Sequence, residues 1–308
     1  MSQVFHEGEI ALQQRFSDVQ KVESIGSRMI RDFMLEQHQH FFAQQQQLFA
    51  SYENELGQVW ADVLFGEVGF ISVLDEYTLQ LSMKDLKQAG ELFSNLKIGS
   101  RLGLLGIEFD TRRRNRLNVE VCKLDADFLQ LKVLQSFGNC PKYIQKRLKV
   151  SSLQINSKQI NITNLTPEVV NILSKADTAF IASRYKDDGK ADKHSGFDVS
   201  HRGGKSGFMV VHDEKIWIPD FSGNNFFNSL GNLMLDPNMG LLIMNFEAQS
   251  YLQLTGKGRV ETKKDSMPFA GYERAIEFEM NQGVIHEHGI PWHFSDAEYS
   301  SFIPSNIK

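Results

Sequence analysis

The chain has 308 residues, 41% of them apolar and 23% charged, with a net charge of −5 at neutral pH. That composition belongs to a folded globular chain of one large or two ordinary domains and excludes the disordered and fibrous classes. The acidic balance argues against a nucleic-acid binder, and two cysteines, Cys122 and Cys140, are too few for a disulfide framework or a zinc cluster.

The N-terminal "MSQVFHEGEIALQQRF" has no signal core, and no later run approaches a membrane span. A cytoplasmic protein that binds no membrane is the expectation. The first half reads as a helix near Ser27 to Gln44, a strand at Leu48 to Tyr52 and strands through Val59 to Leu81. A helix near Leu86 to Leu96 and strands through Val121 complete it. "SFGNCPKYIQKRLKV" (Ser136 to Val150) reads as a connector helix, and the Asn-rich "SSLQINSKQINITN" (Ser151 to Asn164) as a surface link. Thr166-Pro167-Glu168 starts a helix, with a hydroxyl cap and Pro in the first turn. A strand follows at Asp177 to Arg184, then the polar loop Tyr185 to Asp198. Two strands flank a tight turn at His212-Asp213-Glu214. Helical spacing at Asn224 to Pro237 and two long strands around "EAQS" (Glu247 to Ser250) close the pattern.

The two halves repeat one another. "GFISVLDE" (Gly69 to Glu76) returns as "GFMVVHDE" (Gly207 to Glu214), five of eight residues identical. "GLLGIEF" (Gly103 to Phe109) returns as "GLLIMNF" (Gly240 to Phe246), and Met34 to Ser51 runs without a gap against Thr166 to Ser183. Three blocks in one order predict a duplicated unit of roughly 130 to 140 residues. The boundaries are 1–135 for the first copy, 136–164 for the connector and 165–308 for the second copy with its tail. The element pattern predicts a mainly β fold with helices (α+β), small antiparallel barrels rather than a parallel βαβ sheet.

"DVSHRGGKSGF" (Asp198 to Phe208) ends like a triphosphate-binding loop. Val199 stands where the first Gly is required, and a strand follows instead of a helix, so that reading fails. Ser200, His201 and Arg202 before two glycines still suit an anion, against the alternative of an ordinary polar turn. The other half carries "DVLFGEVGF" (Asp62 to Phe70), which keeps the Asp-Val and Gly-Phe frame, so the polar residues read as an insertion into one copy. "PDFSGNNFFNSLGNL" (Pro219 to Leu233) passes from a strand end through Gly223, Asn224 and Asn225 into a helix start, the geometry that offers free N–H groups to a phosphate; a plain Asn/Ser cap would look the same. In "TRRRNR" (Thr111 to Arg116), strand alternation puts Arg112, Arg114 and Arg116 on one face and Arg113 on the other. They either hold a phosphate or pair with acidic residues across the junction. His286, His288 and His293 match no metal signature and read as a solvated tail, so no metal site is expected. Cys140 reads as packing.

Together, "SHRGGKSGF", "PDFSGNNFFNSLGNL", "FGNCPKYIQKR" and "IEFDTRRRNRLN" resemble the pyridoxamine 5'-phosphate oxidase-related FMN-binding proteins, and in particular their tandem branch, over Phe5 to about Val260. The resemblance implies two tandem FMN-binding split β-barrels forming an intrachain pseudo-dimer, with FMN between them. It implies that Ile218, Pro219 and Asp220 lie by the flavin ring. Gly223, Asn224 and Asn225 would sit at the phosphate, with Asn228 behind them, and Ser200, His201, Arg202, Arg112 and Arg114 near it. The implied function is an FMN-dependent oxidoreductase, with NAD(P)H or a small molecule as partner and a homodimer as a further association. No catalytic residue is identified; His201 is the best candidate for an acid or base. The oxidase's own Ser-Arg-Lys phosphate turn is Gly-Asn-Asn here, and its C-terminal Arg-x-His-Asp-Arg motif is absent. These departures keep open a non-catalytic flavin or haem binder, or a sensor, of the same fold.

Overall fold

The computed structural model describes residues 4–88, 92, 96–186, 195–269 and 271–304. Three helices open the chain: α1 (Glu7–Phe16), α2 (Val19–Met29) and α3 (Glu36–Ala43). The first sheet contains β1 (Gln47–Glu53), β2 (Val59–Gly66), β3 (Ile71–Asp75), β4 (Thr78–Ser82), β5 (Leu86–Gln88), β6 (Arg101–Glu108), β7 (Arg113–Leu124) and β8 (Phe128–Gly138). Its spatial order is β3-β4-β8-β7-β6-β1-β2-β5. The chain then passes through β9 (Lys149–Ser152), β10 (Lys158–Ile162) and α4 (Pro167–Lys175). The second sheet is built from β11 (Thr178–Tyr185), β12 (Gly196–Gly203), β13 (Val210–His212) and β14 (Lys215–Asp220). After α5 (Asn228–Leu235) it adds β15 (Asn238–Asn245), β16 (Ser250–Glu261) and β17 (Arg274–Glu287). Its order is β12-β11-β15-β16-β17-β14-β13, with β10 on β17, while β18 (Trp292–Phe294) pairs with β9. The fold is mainly β with few helices. No helix among the described residues is long and apolar enough to cross a membrane.

Local chemistry explains the clearest elements. The Thr166 hydroxyl caps α4 by accepting from the Val169 N–H at 3.3 Å, with Pro167 at the first helical position. Asp213 and Glu214 adopt φ of 50° and 57°, the left-handed pair that a two-residue hairpin between β13 and β14 demands. Each sheet wraps its own apolar cluster, one around Phe42, Leu64 and Leu117, the other around Ile181, Ile218 and Phe278. A third cluster joins β1, β2 and β6 to β11, β12 and β15, where Phe49 and Phe180 stack at 3.6 Å between ring centroids. Each large side chain buried there stabilises the join by about 1.5–3 kcal/mol.

Several expected elements differ. The helix near Ser27 to Gln44 is two helices, α2 and α3, interrupted at residues 30–35, and α1 precedes them. Of the helix near Leu86 to Leu96, Leu86–Gln88 is strand, while residues 89–91 and 93–95 lie outside the described residues. Ser136 to Val150 is not a helix: β8 runs on to Gly138, and the chain stays irregular through Leu148. Pro141 and the left-handed Tyr143 (φ 67°) oppose a helix there, and a turn closing on the buried Ile144 takes its place. The surface link carries the mostly exposed β9 and β10. "DVSHRGG" is no loop either, since Asp198 to Gly203 belong to β12; residues 187–194 of the preceding polar loop lie outside the described residues.

The polar residues are not an insertion. Phe49 of β1 faces Val63 of β2, and Phe180 of β11 faces His201 of β12, with no bulge in either pair. Ser200, His201 and Arg202 are therefore ordinary ladder positions, carrying polar side chains where β2 carries Asp62, Val63 and Leu64. Of the C-terminal histidines, His286 departs from the solvated tail: it lies buried in β17 against Tyr251, whereas His288, in a left-handed turn, and His293 are exposed.

Candidate functional site

A cleft opens where β7 of the first sheet meets β12 of the second. Its floor is formed by Arg114, Arg116, Ser200, His201 and Arg202. One wall is the segment leaving β8 (Asn139, Cys140, Lys142, Tyr143); the other runs from Asp220 and Phe221 through Gly223, Asn224 and Asn225 to Asn228 and Ser229, with Arg274 beside it. Alternation along β7 turns Arg114 and Arg116 inward, while Arg113 stacks outward over Phe41 at 5.4 Å. Gly203 lets the wall lie close, because a Cβ there would collide with the Tyr143 carbonyl oxygen. The Tyr143 hydroxyl then donates to the Ser222 carbonyl at 2.8 Å and ties the two walls together.

The helix start is open. The cap residue of α5 is Phe227, left-handed (φ 62°) and without a side-chain cap bond, so nothing from the cap shields the first-turn N–H groups. The Asn224 side chain instead accepts from the Phe226 N–H at 3.2 Å, one step before the helix.

The charges are unequally matched. Arg116 donates to the Asp198 carboxylate at 2.7 Å, and Asp198 in turn accepts from the Ser229 hydroxyl at 2.5 Å. Arg202 pairs with Asp220, whose other oxygen accepts from Arg274 Nε at 2.8 Å. Arg114 meets no carboxylate among the described residues; its guanidinium reaches only the ring Nδ1 and carbonyl of His201, both at 3.4 Å. Burial, then Arg116 and Arg202, pushes the Arg114 guanidinium down to about 9, still cationic at neutral pH. Burial and the surrounding arginines hold His201 well below its ordinary range, so the imidazole is neutral and accepts at Nδ1. Five cations (Arg114, Arg116, Lys142, Arg202, Arg274) face three carboxylates, Asp220, the underlying Asp198 and Glu273 on the far side of Arg274, leaving a surplus of two positive charges.

Five buried nitrogens of cleft-lining residues have no hydrogen-bond partner: Arg114 Nε, Arg116 Nε, Arg202 Nε, Asn139 Nδ2 and His201 Nε2. All are donors in the charge states just described. A buried unpaired donor costs roughly 1–3 kcal/mol, so such a convergence suits an anion with several acceptor oxygens.

The structure thus brings Ser200, His201, Arg202, Asp220, Gly223, Asn224, Asn225, Asn228 and Arg114 around one cleft. Ile218 and Pro219 lie elsewhere: both are buried, and Ile218 packs into the core of the second sheet. Arg112 is also apart, because it occupies the turn before β7 with φ 58° and binds the Ile144 carbonyl and Glu298 instead. Sequence reasoning missed Asn139, Tyr143 and Arg274, which have no local signature. It also missed Glu9, whose carboxylate accepts from Asn228 at 2.6 Å. Its only sequence sign was a helix-start pattern, His6 with Glu9 three residues on, which closes a capping box.

No protein-family model matches the chain, and no curated protein does. Among solved structures it is similar to a protein provisionally named a pyridoxamine 5'-phosphate oxidase from Lactobacillus delbrueckii, at 20% identity over 35% of this chain and 95% of that one (TM-score 0.28). A similarly named protein from Corynebacterium glutamicum matches at 13% identity over 42% and 98% (TM-score 0.28). A FAD-binding protein from Mesorhizobium loti matches at 8% identity over 43% and 99% (TM-score 0.26).

Proposed function

We propose that the chain is an FMN-binding flavoprotein, two split β-barrels in tandem that imitate a dimer, with the cofactor's phosphate in the cleft between them. The observation that carries this is the set of five unpartnered buried nitrogens around an unpaired Arg114. A phosphate monoester brings close to two negative charges and three acceptor oxygens at neutral pH, which matches the surplus charge and the donors. The tandem reading is supported by strand order, since each sheet runs hairpin, three-strand meander, hairpin. Arg114, Arg116, Asn139 and His201 would hold the phosphate with the open start of α5. Tyr143 and Phe221 supply aromatic faces at the mouth for the ring system.

Bound FMN supplies hydride and electron transfer, and the chain's part is to bind and orient it. We read the protein as an oxidoreductase on this basis. A second reading, a flavin carrier or sensor, is favoured by the acid–base inventory of the cleft: His201 is held neutral, and Asp220 is shared by two arginines. The test is titration of the purified protein with FMN, following flavin fluorescence, with inorganic phosphate as competitor. Saturable quenching that phosphate reverses is expected. Unquenched flavin at millimolar protein would overturn the reading. Anaerobic bleaching by NAD(P)H then separates the oxidoreductase from the carrier.

A further inference from the structure

We infer that Glu9, from the N-terminal helix, is a positioning residue of the anion cleft, acting through Asn228 on Arg116 so that its proton governs how firmly an anion is held. The inference rests on the reading of the cleft as a phosphate site.

The connection is continuous. Helix α1 crosses α5 at close range, which Gly231 permits: a Cβ there would come within 2.7 Å of the Glu9 backbone nitrogen. The crossing delivers the Glu9 carboxyl to the back of the cleft. The Asn228 carboxamide donates to Glu9 Oε1 at 2.6 Å, and its oxygen accepts from Arg116 Nη1 at 3.3 Å. One amide therefore stands between a buried carboxyl and a cleft arginine, and its orientation is fixed from both ends. The same Arg116 nitrogen donates to Asp198.

Charge makes the connection proton-dependent. With Glu9 neutral, Arg116 and Asp198 balance one another. With Glu9 ionised, a second negative charge lies behind Arg116 and opposes any anion in front of it. The groups facing the carboxyl are His6 of α1 (ring Nε2 at 3.5 Å, backbone N–H at 2.9 Å), Asn228 of α5, Asp198 of β12 and Arg116 of β7. His6 is itself bound to Asn232 and stacked on Tyr185. Burial pushes the Glu9 carboxyl up to about 8, with Asp198 adding to the rise and the His6 N–H, Asn228 and Arg116 opposing it. An anion on the Arg116 side disfavours the ionised form further, and by reciprocity ionised Glu9 weakens the anion. A phosphate monoester completes its own titration near pH 6, so its charge is constant above about pH 7.

The experiment measures the affinity of the full chain for FMN, and separately for inorganic phosphate, at pH 7 and pH 9, in the native protein and in Glu9→Gln. Gln removes the charge and keeps one acceptor oxygen, for either the Asn228 amide or the His6 N–H of the capping box. Arg114 and the other cleft cations titrate equally in both proteins, so the difference isolates Glu9. The native protein is expected to lose roughly fivefold more affinity over this interval than Glu9→Gln. Asn228→Ala, which cuts the relay and removes a hydrogen bond that favours ionised Glu9, should shrink the same excess, and it decides the matter if Glu9→Gln does not fold. Identical pH profiles in native protein and variants overturn the inference while leaving the phosphate site intact. A native chain that binds neither ligand overturns both.

Discussion

The two sheets meet at two junctions, and only one of them opens into a cleft. At the open junction, β7 presents Arg114 opposite Ile107 and Arg116 opposite Leu105, with Arg116 reaching Asp198 of β12. At the other, β16 presents Tyr251 opposite Met244 and Gln253 opposite Leu242, with Gln253 reaching Asp62 of β2. The backbone frames correspond down to the preceding turns, where Arg112 and Gln249 both adopt left-handed φ. The next strand differs. Past Gly138 the first sheet's chain leaves β8 and rises to wall the cleft, whereas β17 continues and pairs His286 with Tyr251. Those rings stack at 4.2 Å and, with Ile290 and Trp292, fill the space that arginines and Asn139 leave open opposite. The same ladder geometry thus supports either a packed aromatic plug or a cationic cleft, depending on which side chains the register points inward.

The largest effect expected from this contrast is on stability. Tyr251→Ala should cost about 3–5 kcal/mol in denaturant unfolding, as other aromatic-to-alanine core changes do. Arg114→Ala, at the corresponding register position, should shift stability by less than about 0.5 kcal/mol or raise it, since it removes a cation that no carboxylate balances. Equal losses in the two variants would erase the distinction between plug and cleft.

Affinity should show the reverse. Arg114→Ala should weaken binding of FMN and of inorganic phosphate by about 1.5–3 kcal/mol, roughly ten- to a hundredfold, because a charge-assisted contact is lost. Tyr251→Phe should leave both unchanged. Native affinity in Arg114→Ala, read by fluorescence titration, would move the anion out of this cleft. Arg202→Ala should cost less, about 0.5–1.5 kcal/mol, because Asp220 already engages its charge. A larger loss at Arg202 than at Arg114 would mean that pairing does not rank these arginines.

Much of this was readable from the chain where a local rule governs. Thr166-Pro167 fixed a helix start, and the Asp213-Glu214 turn fixed a hairpin, because caps and tight turns are decided within a few residues. Alternation placed Arg114 inward but failed at Arg112, one residue too early, because the turn reaches further than the charge run suggests. The segment after β8 carries a helix-like pattern that burial of Ile144 and contact with Gly203 override. Glu9 and Arg274 come to the cleft from opposite ends of the chain, and nothing near either residue announces that. The His201 ladder position had to be seen against Phe180 to be recognised as strand.

The smallest effect expected is also the most specific to the open junction. Both junctions bury a histidine with a depressed pKa: His286 falls to about 4 through burial, whereas His201 falls through burial and then through Arg114, Arg202 and Arg116. For a depressed histidine, folding favours the neutral ring, so its contribution to stability is complete above about pH 6.5 and is lost as pH falls toward the folded value. An anion in the cleft offsets the arginines, so only the electrostatic part of the depression is relieved, and only at His201. Titration of the imidazole protons by NMR, with and without saturating phosphate, should therefore show His201 moving upward while His286 stays near 4. The acid loss of stability attributable to His201 should shrink with it. Equal movement of both rings would indicate a change in general solvation, and movement of neither would place the phosphate too far from the arginines to screen them.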